Sequence, residues 1–186
     1  MRVLHRNAPA FGLAMLAWIL AAPCTYGQVP PEPEGYRLKD YRAPTPATLR
    51  GATVLDTAGA EALWRTGSAS FIDALPQPER PANLPPGTLW HPPSHASIPG
   101  AVWLPNVGFG ELAPETESYF RNGLTAASQG NMAHALVFFC LRNCWMSWNA
   151  AKRALSYRYS AVYWYPDGVD GWKAAGLPLE DVRKGP

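Results

Sequence analysis

Cys140 and Cys144 stand four positions apart and directly follow an apolar run, ALVFF, at residues 135–139. When a buried strand passes through a short loop into a helix, the loop amides and the helix dipole stabilise a thiolate, a persulfide or a bound oxyanion. In a tightly curled loop, four residues separate the Cα atoms by about 6 Å, which a disulfide tolerates. The pattern predicts a functional pair in which Cys140 attacks and Cys144 resolves, or alternatively a disulfide with a purely structural role.

The residues beside the two cysteines are the predicted binding part of an active loop over residues 140–146. We expect the backbone amides of residues 141–145 to stabilise a sulfur anion. The side chains predicted to contact a substrate are Leu141, Arg142, Asn143, Trp145 and Met146. His91 and His95 flank a pair of prolines and leave metal ligation open, although a turn explains His95 more simply. We predict no resident metal or organic cofactor.

Short apolar runs alternate with helical patterns along the chain, and these elements must position the active loop. The predicted strands are residues 69–73, 101–104, 135–139 and 161–165. The predicted helices are residues 57–66, 114–123 with a ragged continuation to 130, 148–157, and 169–175. Strands that alternate with helices indicate an α/β fold with a parallel sheet covered by helices on both faces.

Two proline-rich segments are predicted to lack regular secondary structure, because proline has no backbone N–H and breaks helices. Residues 28–50 are predicted to form an extended arm, whose Tyr36 and Tyr41 pack on the domain or contact a partner. Residues 74–100 contain eight prolines and are predicted to form a long loop, a feature that usually serves a function in a compact domain. Residues 51–186 are predicted to form one domain.

The first 27 residues have the pattern of a signal peptide. Arg2 and Arg6 precede an uncharged apolar run at residues 10–22, which is too short to span a bilayer but suits the core of such a segment. We predict cleavage before Gln28, export to the periplasm and no membrane span in the mature chain. Residues 20–24 approach a lipoprotein cleavage box, so a lipid anchor on Cys24 stays an alternative.

Charge and composition exclude some functional classes. The chain of 186 residues has 16 basic (Lys and Arg) and 14 acidic residues, and the predicted cleavage removes two arginines and no acid. The resulting neutral chain gives no electrostatic reason to expect binding to nucleic acid or to a membrane surface. With 47% hydrophobic and 16% charged residues, we expect a buried core rather than disorder.

Five sequence blocks, taken in order, resemble a rhodanese domain over about residues 50–180. They are residues 71–73 (FID), 94–105 (SHASIPGAVWLP), the strand that ends at Cys140, 149–155 (NAAKRAL) and 162–178 (VYWYPDGVDGWKAAGLP). The resemblance implies the rhodanese-like fold and puts Cys140 at the position of the sulfur-carrying cysteine of a sulfurtransferase.

The chain departs from the rhodanese pattern at the active loop. Trp145 stands where those enzymes usually have Arg or Lys, and the arginine that phosphatases of this fold use to bind phosphate is missing as well. These departures weaken thiosulfate sulfurtransferase and phosphatase activity. The second thiol, on Cys144, favours dithiol chemistry instead.

More narrowly, the exported chain, the arm with residues 35–37 (GYR) and the block CLRNCW at residues 140–145 resemble the PQQ-dependent catabolism-associated CXXCW motif proteins. That resemblance implies a periplasmic accessory found alongside quinoprotein alcohol oxidation. We therefore predict a redox-active or sulfur-carrying cysteine pair, as in a sulfurtransferase or a thiol-disulfide oxidoreductase. The predicted partner is a PQQ-dependent dehydrogenase or its cytochrome c. The alternative is a non-catalytic binding accessory, or a copper chaperone whose two thiols suit soft Cu(I).

Overall fold

The structure is a computed structural model that describes residues 29–91 and 93–185. The predicted signal peptide at residues 1–27, and with it Cys24, lies outside the described residues. Within the described ranges, no helix is both long enough and apolar enough to cross a membrane.

Seven short strands and four helices follow one another through the described ranges. The strands are β1 (Thr53–Val54), β2 (Ala69–Asp73), β3 (His95–Ser97), β4 (Val102–Trp103), β5 (Ala135–Phe139), β6 (Val162–Tyr165) and β7 (Glu180–Val182). The helices are α1 (Thr57–Thr66), α2 (Pro114–Ser128), α3 (Trp145–Ser156) and α4 (Gly168–Ala174). The first of these helices has clear local signals at both ends. Asp56 accepts a hydrogen bond from the Gly59 amide at 2.8 Å, and Gly67 ends the helix with a φ of 60°, which suits glycine.

Five strands form one parallel sheet in the order β1-β6-β5-β2-β4. Successive side chains of β5 point to opposite faces of the sheet, as in any strand. Leu136 and Phe138 join the core beneath α2 and α3, whereas Val137 and Phe139 join the core beneath α1 and α4. The predicted α/β fold, with a parallel sheet covered by helices on both faces, is therefore confirmed.

The prediction that residues 74–100 lack regular structure is wrong at one place. Residues 95–97 form β3, which pairs antiparallel with β7 in a separate sheet of two strands. The sequence nearby does not reveal this pairing, because the partner strand lies more than eighty positions further along the chain and both strands have only three residues.

The proline-rich arm, defined here as residues 29–50, lies along α3. Four side chains of α3, spaced on one face of the helix, hydrogen-bond to backbone groups of the arm. The donor atoms and acceptors are Trp145 Nε1 to Pro44 O (3.0 Å), Trp148 Nε1 to Thr48 O (3.0 Å), Asn149 Nδ2 to Arg37 O (2.9 Å) and Lys152 Nζ to Pro33 O (3.2 Å). An extended segment that belongs to neither sheet thus satisfies much of its polar backbone through the domain.

Candidate sulfur site

Cys140 and Cys144 form a disulfide that closes the turn between β5 and α3. Their Cα atoms lie 6.2 Å apart, in agreement with the spacing argument from the sequence. Cys140 directly follows the central strand, and Cys144 is the N-cap residue of α3. Both residues are buried, at 0% and 2% relative exposure, and they pack with Met146 in one cluster.

Two neighbouring elements fix the start of this turn. The Cys140 carbonyl accepts a hydrogen bond from the Val169 amide of α4 at 2.9 Å. Gly168 approaches the same carbonyl so closely that a Cβ atom there would overlap it, and its φ is 51°. Both observations require glycine at position 168. Asn143 supplies the other special conformation, with a φ of 56°, which asparagine tolerates better than most residues.

Two of the amides predicted to stabilise a sulfur anion donate hydrogen bonds to other acceptors. The Arg142 amide donates to Asp170 Oδ2 at 2.9 Å, and the Trp145 amide donates to the Tyr41 carbonyl at 2.9 Å. The expectation that all amides of residues 141–145 face the sulfur is therefore wrong for these two. A carboxylate of α4 and the arm satisfy them, and neither partner is visible from the sequence of the loop.

The side chains predicted to contact a substrate lie in different surroundings. Arg142 lies on the surface, where its Nε donates to Asp167 Oδ1 at 2.9 Å. This contact raises the pKa of the guanidinium and holds the charge beside α4. Asn143 is exposed, and Leu141 is half-buried at the edge of the cysteine cluster.

Trp145 and Met146 belong to the first turn of α3, which begins three residues earlier than the sequence pattern predicts. Both side chains are buried, at 2% and 1% relative exposure. Trp145 packs edge-on against Trp148 with the ring centroids 5.3 Å apart. The Trp145 side chain is therefore part of the core and of the contact with the arm.

Residues of the arm cover the disulfide. Tyr41 packs against the cysteine cluster, and its hydroxyl accepts a hydrogen bond from the Gly110 amide at 3.0 Å. Arg42 pairs with Cys144 in an isolated antiparallel bridge. Nothing in the sequence indicates a site role for Arg42. In the sequence it is simply a basic residue within an extended segment. Such residues are too common to indicate a functional site.

The neighbouring strand β2 ends at a second buried polar cluster. Asp73, at 0% exposure, accepts hydrogen bonds from Ser97 Oγ at 2.5 Å and from the Leu75 amide at 2.9 Å. His95 Nε2 lies 3.2 Å from Asp73 Oδ2 but is not aligned for a hydrogen bond. Burial raises the pKa of the Asp73 carboxyl, and the nearby His95, Ser97 and Leu75 groups oppose that shift.

This cluster explains His95 without a metal ion. The imidazole lies between the Asp73 carboxyl and the Trp103 ring, whose centroid is 4.6 Å away in an edge-on arrangement. In the parts of the chain that the structure describes, no group of three His, Cys, Asp or Glu side chains could hold a metal ion. The cluster instead fastens β3, and with it the long loop, to the carboxyl end of β2.

Comparisons with known proteins find similarity in the arrangement of strands and helices among solved structures. No protein-family model matches the chain, and no curated protein matches it. The arrangement is similar to that of a thiosulfate sulfurtransferase from Pseudomonas aeruginosa (TM-score 0.48, 16% identity, 73% of this chain and 21% of that one). This chain thus spans about a fifth of that enzyme's length.

Two smaller proteins give similar comparisons. The rhodanese-like domain of an Anabaena protein has a TM-score of 0.45, at 15% identity over 69% of this chain and 78% of that one. A polysulfide-sulfur transferase from Wolinella succinogenes also has a TM-score of 0.45, at 15% identity over 71% of this chain and 80% of that one. The predicted rhodanese-like architecture is consistent with all three.

Proposed function

We propose that the protein is a rhodanese-like accessory in which Cys140 and Cys144 cycle between a disulfide and a dithiol. The observation that carries this proposal is the disulfide itself, located in the loop that joins the central parallel strand to the following helix. In one turn of the cycle, the dithiol reduces an organic disulfide to two thiols and becomes the protein disulfide. The reverse reaction oxidises the thiols of a partner.

A purely structural role explains the disulfide less well. The closed loop has five residues, for which the chain-entropy relation gives a stabilisation of only about 2 kcal/mol. Other contacts already fix both ends of the loop, since Val169 binds the Cys140 carbonyl and Tyr41 binds the Trp145 amide. A short additional cross-link contributes little to a segment that is held in this way.

Sulfur transfer from thiosulfate is a less well supported use of the same loop. A thiosulfate dianion requires a cation beside the sulfur-carrying cysteine. Arg142 is the basic residue of the loop, and Asp167 neutralises it at 2.9 Å. An uncharged donor of sulfane sulfur needs no cation beside the cysteine. The proposal therefore includes Cys140 as a persulfide carrier.

The cellular setting belongs to the proposal and rests on the sequence resemblance. We place the protein in the periplasm, as an accessory of PQQ-dependent alcohol catabolism whose partner is a quinoprotein dehydrogenase or its cytochrome c. Export would bring the cysteine pair into an oxidising compartment, where a disulfide persists. Direct binding of the exported protein to purified dehydrogenase or cytochrome c is the test. Absence of binding to both would contradict this setting and leave the thiol chemistry intact.

A copper-binding role is the second candidate function, and Met146 favours it. In the reduced protein, two thiols and one thioether would share a single buried cluster, and soft sulfur ligands select Cu(I). Titration of the reduced protein with Cu(I) against a chromophoric chelator tests this role. We expect the Met146→Leu variant to bind more weakly, while Met132→Leu, a change at an exposed methionine, is neutral.

The redox proposal is tested with an uncharged dipyridyl disulfide in a Cys24→Ser background, so that only the pair reacts. The reduced protein should release two thiopyridone molecules per chain and recover the disulfide. The Cys140→Ser/Cys144→Ser variant should release none while keeping its circular dichroism spectrum. Release by the double variant, or a reduced protein that does not react, would contradict the proposal.

A further inference from the structure

The two cysteines differ in their relation to α3. Cys144 is the N-cap residue of this helix of 12 residues, and its side chain makes no capping hydrogen bond. The N-cap side chain is the group that normally accepts hydrogen bonds from the free amides of the first turn. The first turn also contains no acidic residue. After reduction, a thiolate on Cys144 would therefore face amide donors and the positive end of the helix dipole without a competing carboxylate.

Cys140 shares the buried cluster of Cys144 but lies further from the helix. It directly follows β5 and precedes the helix by several residues. Its relative exposure is 0%, and the hydrophobic side chains Leu75 and Leu141 pack against the cluster to which it belongs. Desolvation of this kind disfavours a charged sulfur. Cys144 is buried to nearly the same degree, at 2%, so it is the position relative to the helix N-terminus that makes Cys140 the weaker thiolate of the pair.

The arm adds a charge at the same position. Arg42 lies opposite Cys144 in the antiparallel bridge, and residues paired in this way direct their side chains to the same face, with Cβ atoms roughly 5 Å apart. The Arg42 residue is exposed. Within residues 29–91 and 93–185, no carboxylate lies within ion-pair distance of it. Arg42 thus differs from Arg142, whose charge Asp167 compensates.

We propose that Cys144 is the attacking thiol, that Cys140 resolves the intermediate, and that Arg42 of the arm is a positioning residue that stabilises the Cys144 thiolate. The inference rests on the proposed thiol-disulfide function and reverses the order of attack that the sequence predicts. In the sequence, Cys140 marks the start of the loop. The helix, however, begins immediately after Cys144.

The proposed reaction of the reduced pair is an ordinary thiol-disulfide exchange. The Cys144 thiolate attacks one sulfur of an organic disulfide RSSR, forms a mixed disulfide Cys144–S–S–R and expels RS⁻, which takes up the proton that Cys144 lost. Cys140 then loses its proton and attacks the Cys144 sulfur. The bond to R breaks, the second RS⁻ leaves with the proton from Cys140, and the protein disulfide forms again.

The order of attack is tested with single variants in the Cys24→Ser background and an uncharged dipyridyl disulfide. Cys140→Ser, which keeps Cys144, should react about tenfold faster at neutral pH than Cys144→Ser, because the thiolate is the reacting form. Equal rates, or a faster reaction of Cys144→Ser, would overturn the assignment. Failure of both variants and of the reduced unsubstituted pair would instead overturn the proposed function.

A second measurement keeps the assignment testable if a single variant does not fold. Reduced protein with both cysteines is treated with a limiting amount of iodoacetamide, and mass spectrometry locates the label. We expect the label mainly on Cys144. Predominant labelling of Cys140 would overturn the assignment.

The role of Arg42 is tested in the Cys140→Ser protein. Arg42→Gln should slow the reaction of Cys144 about two- to fivefold, the range expected for one exposed charge pair, and added salt should reduce the difference. Arg42→Lys should restore most of the rate. Arg158→Gln, at another exposed arginine, is the matched control. An unchanged rate for Arg42→Gln would exclude this role, and the uncharged probe ensures that Arg42 does not act by attracting the reagent.

Discussion

The neighbouring strands β5 and β2 end side by side, at Phe139 and Asp73, but the residues at their ends have different chemistry. The first leads into a disulfide, which is uncharged and lies under the proline-rich arm. The second ends in a buried carboxyl with three polar neighbours from the following loop. In the proposed function, the cysteine end undergoes a reversible covalent change, whereas the Asp73 end holds the long loop in place. The same edge of one sheet would then serve reaction and anchoring at positions one strand apart.

The largest effect is expected when the anchoring cluster is broken. Asp73→Ala leaves the Ser97 hydroxyl and the Leu75 amide without their acceptor, and each buried donor left unpaired costs about 1–3 kcal/mol. Urea unfolding should show this loss, whereas Asp181→Asn on exposed β7 should have little effect. If the two clusters serve different purposes, folded Asp73→Ala should still react with the dipyridyl disulfide at the rate of the unsubstituted protein. A proportionate loss of reactivity would mean that they act together.

The second effect concerns the arm that covers the cysteine end. Asn149 is buried, accepts a hydrogen bond from the Arg37 amide at 2.9 Å and donates to the carbonyls of Arg37 and Gly108. Asn149→Ala leaves these backbone groups unpaired, at a cost of about 2 kcal/mol, and loosens the arm. We expect reduction of the disulfide by dithiothreitol to become severalfold faster. Asn122→Ala on the exposed side of α2 is the control, and an unchanged reduction rate would show that the arm does not limit access.

A third effect is the pH dependence of stability that Asp73 causes at the end of β2, and that the uncharged disulfide at the end of β5 does not cause. Burial raises the pKa of Asp73 in the folded protein, so the folded state binds this proton more tightly than the unfolded state. Asp73 therefore makes its full contribution to the free energy of unfolding below the ordinary aspartate pKa of about 4. This contribution is lost as the pH rises through the raised pKa of the folded protein. Urea unfolding over a pH series should show this decline. Asp73→Asn should flatten the decline, and an identical pH profile would contradict the assignment.

The smallest effect is expected at Arg142, the loop residue that the sequence pointed to. Its ion pair with Asp167 is exposed, and such pairs contribute less than about 1 kcal/mol. Because that charge is directed to α4, Arg142→Gln should change the reactivity of the cysteines less than Arg42→Gln does. Stopped-flow rates for the two variants, measured at the same ionic strength, decide the point. A larger effect at Arg142 would reverse this ranking.

The elements with strong local patterns were predictable from the sequence. The apolar run of β5 and the caps of α1 have local signals, and the spacing of Cys140 and Cys144 indicated a disulfide distance. The predicted start of α3 was three residues late, because Trp145 and Met146 read as parts of a loop when their burial is unknown. Local patterns alone do not show how a turn divides between strand and helix.

The contacts that complete the site could not be predicted, because they join distant segments. Tyr41 and Arg42 reach Cys144 from about a hundred positions away, and Asp170 reaches the Arg142 amide from the next helix. No periodicity or motif signals an extended segment that pairs with one residue of a turn. The identity of the sulfur residues was therefore visible in the sequence, but their unequal surroundings were not.

The small sheet of β3 and β7 has a consequence for biosynthesis. Its second strand, β7, follows every strand of the parallel sheet along the chain. Glu180 of β7 pairs with Ser97 and also accepts a hydrogen bond from the Gly100 amide at 2.6 Å. A chain that emerges from the ribosome amino end first can form the central strands while this tether is still missing. The long proline-rich loop then becomes fixed only after β7 has been synthesised, and until that point this exposed segment is open to proteases.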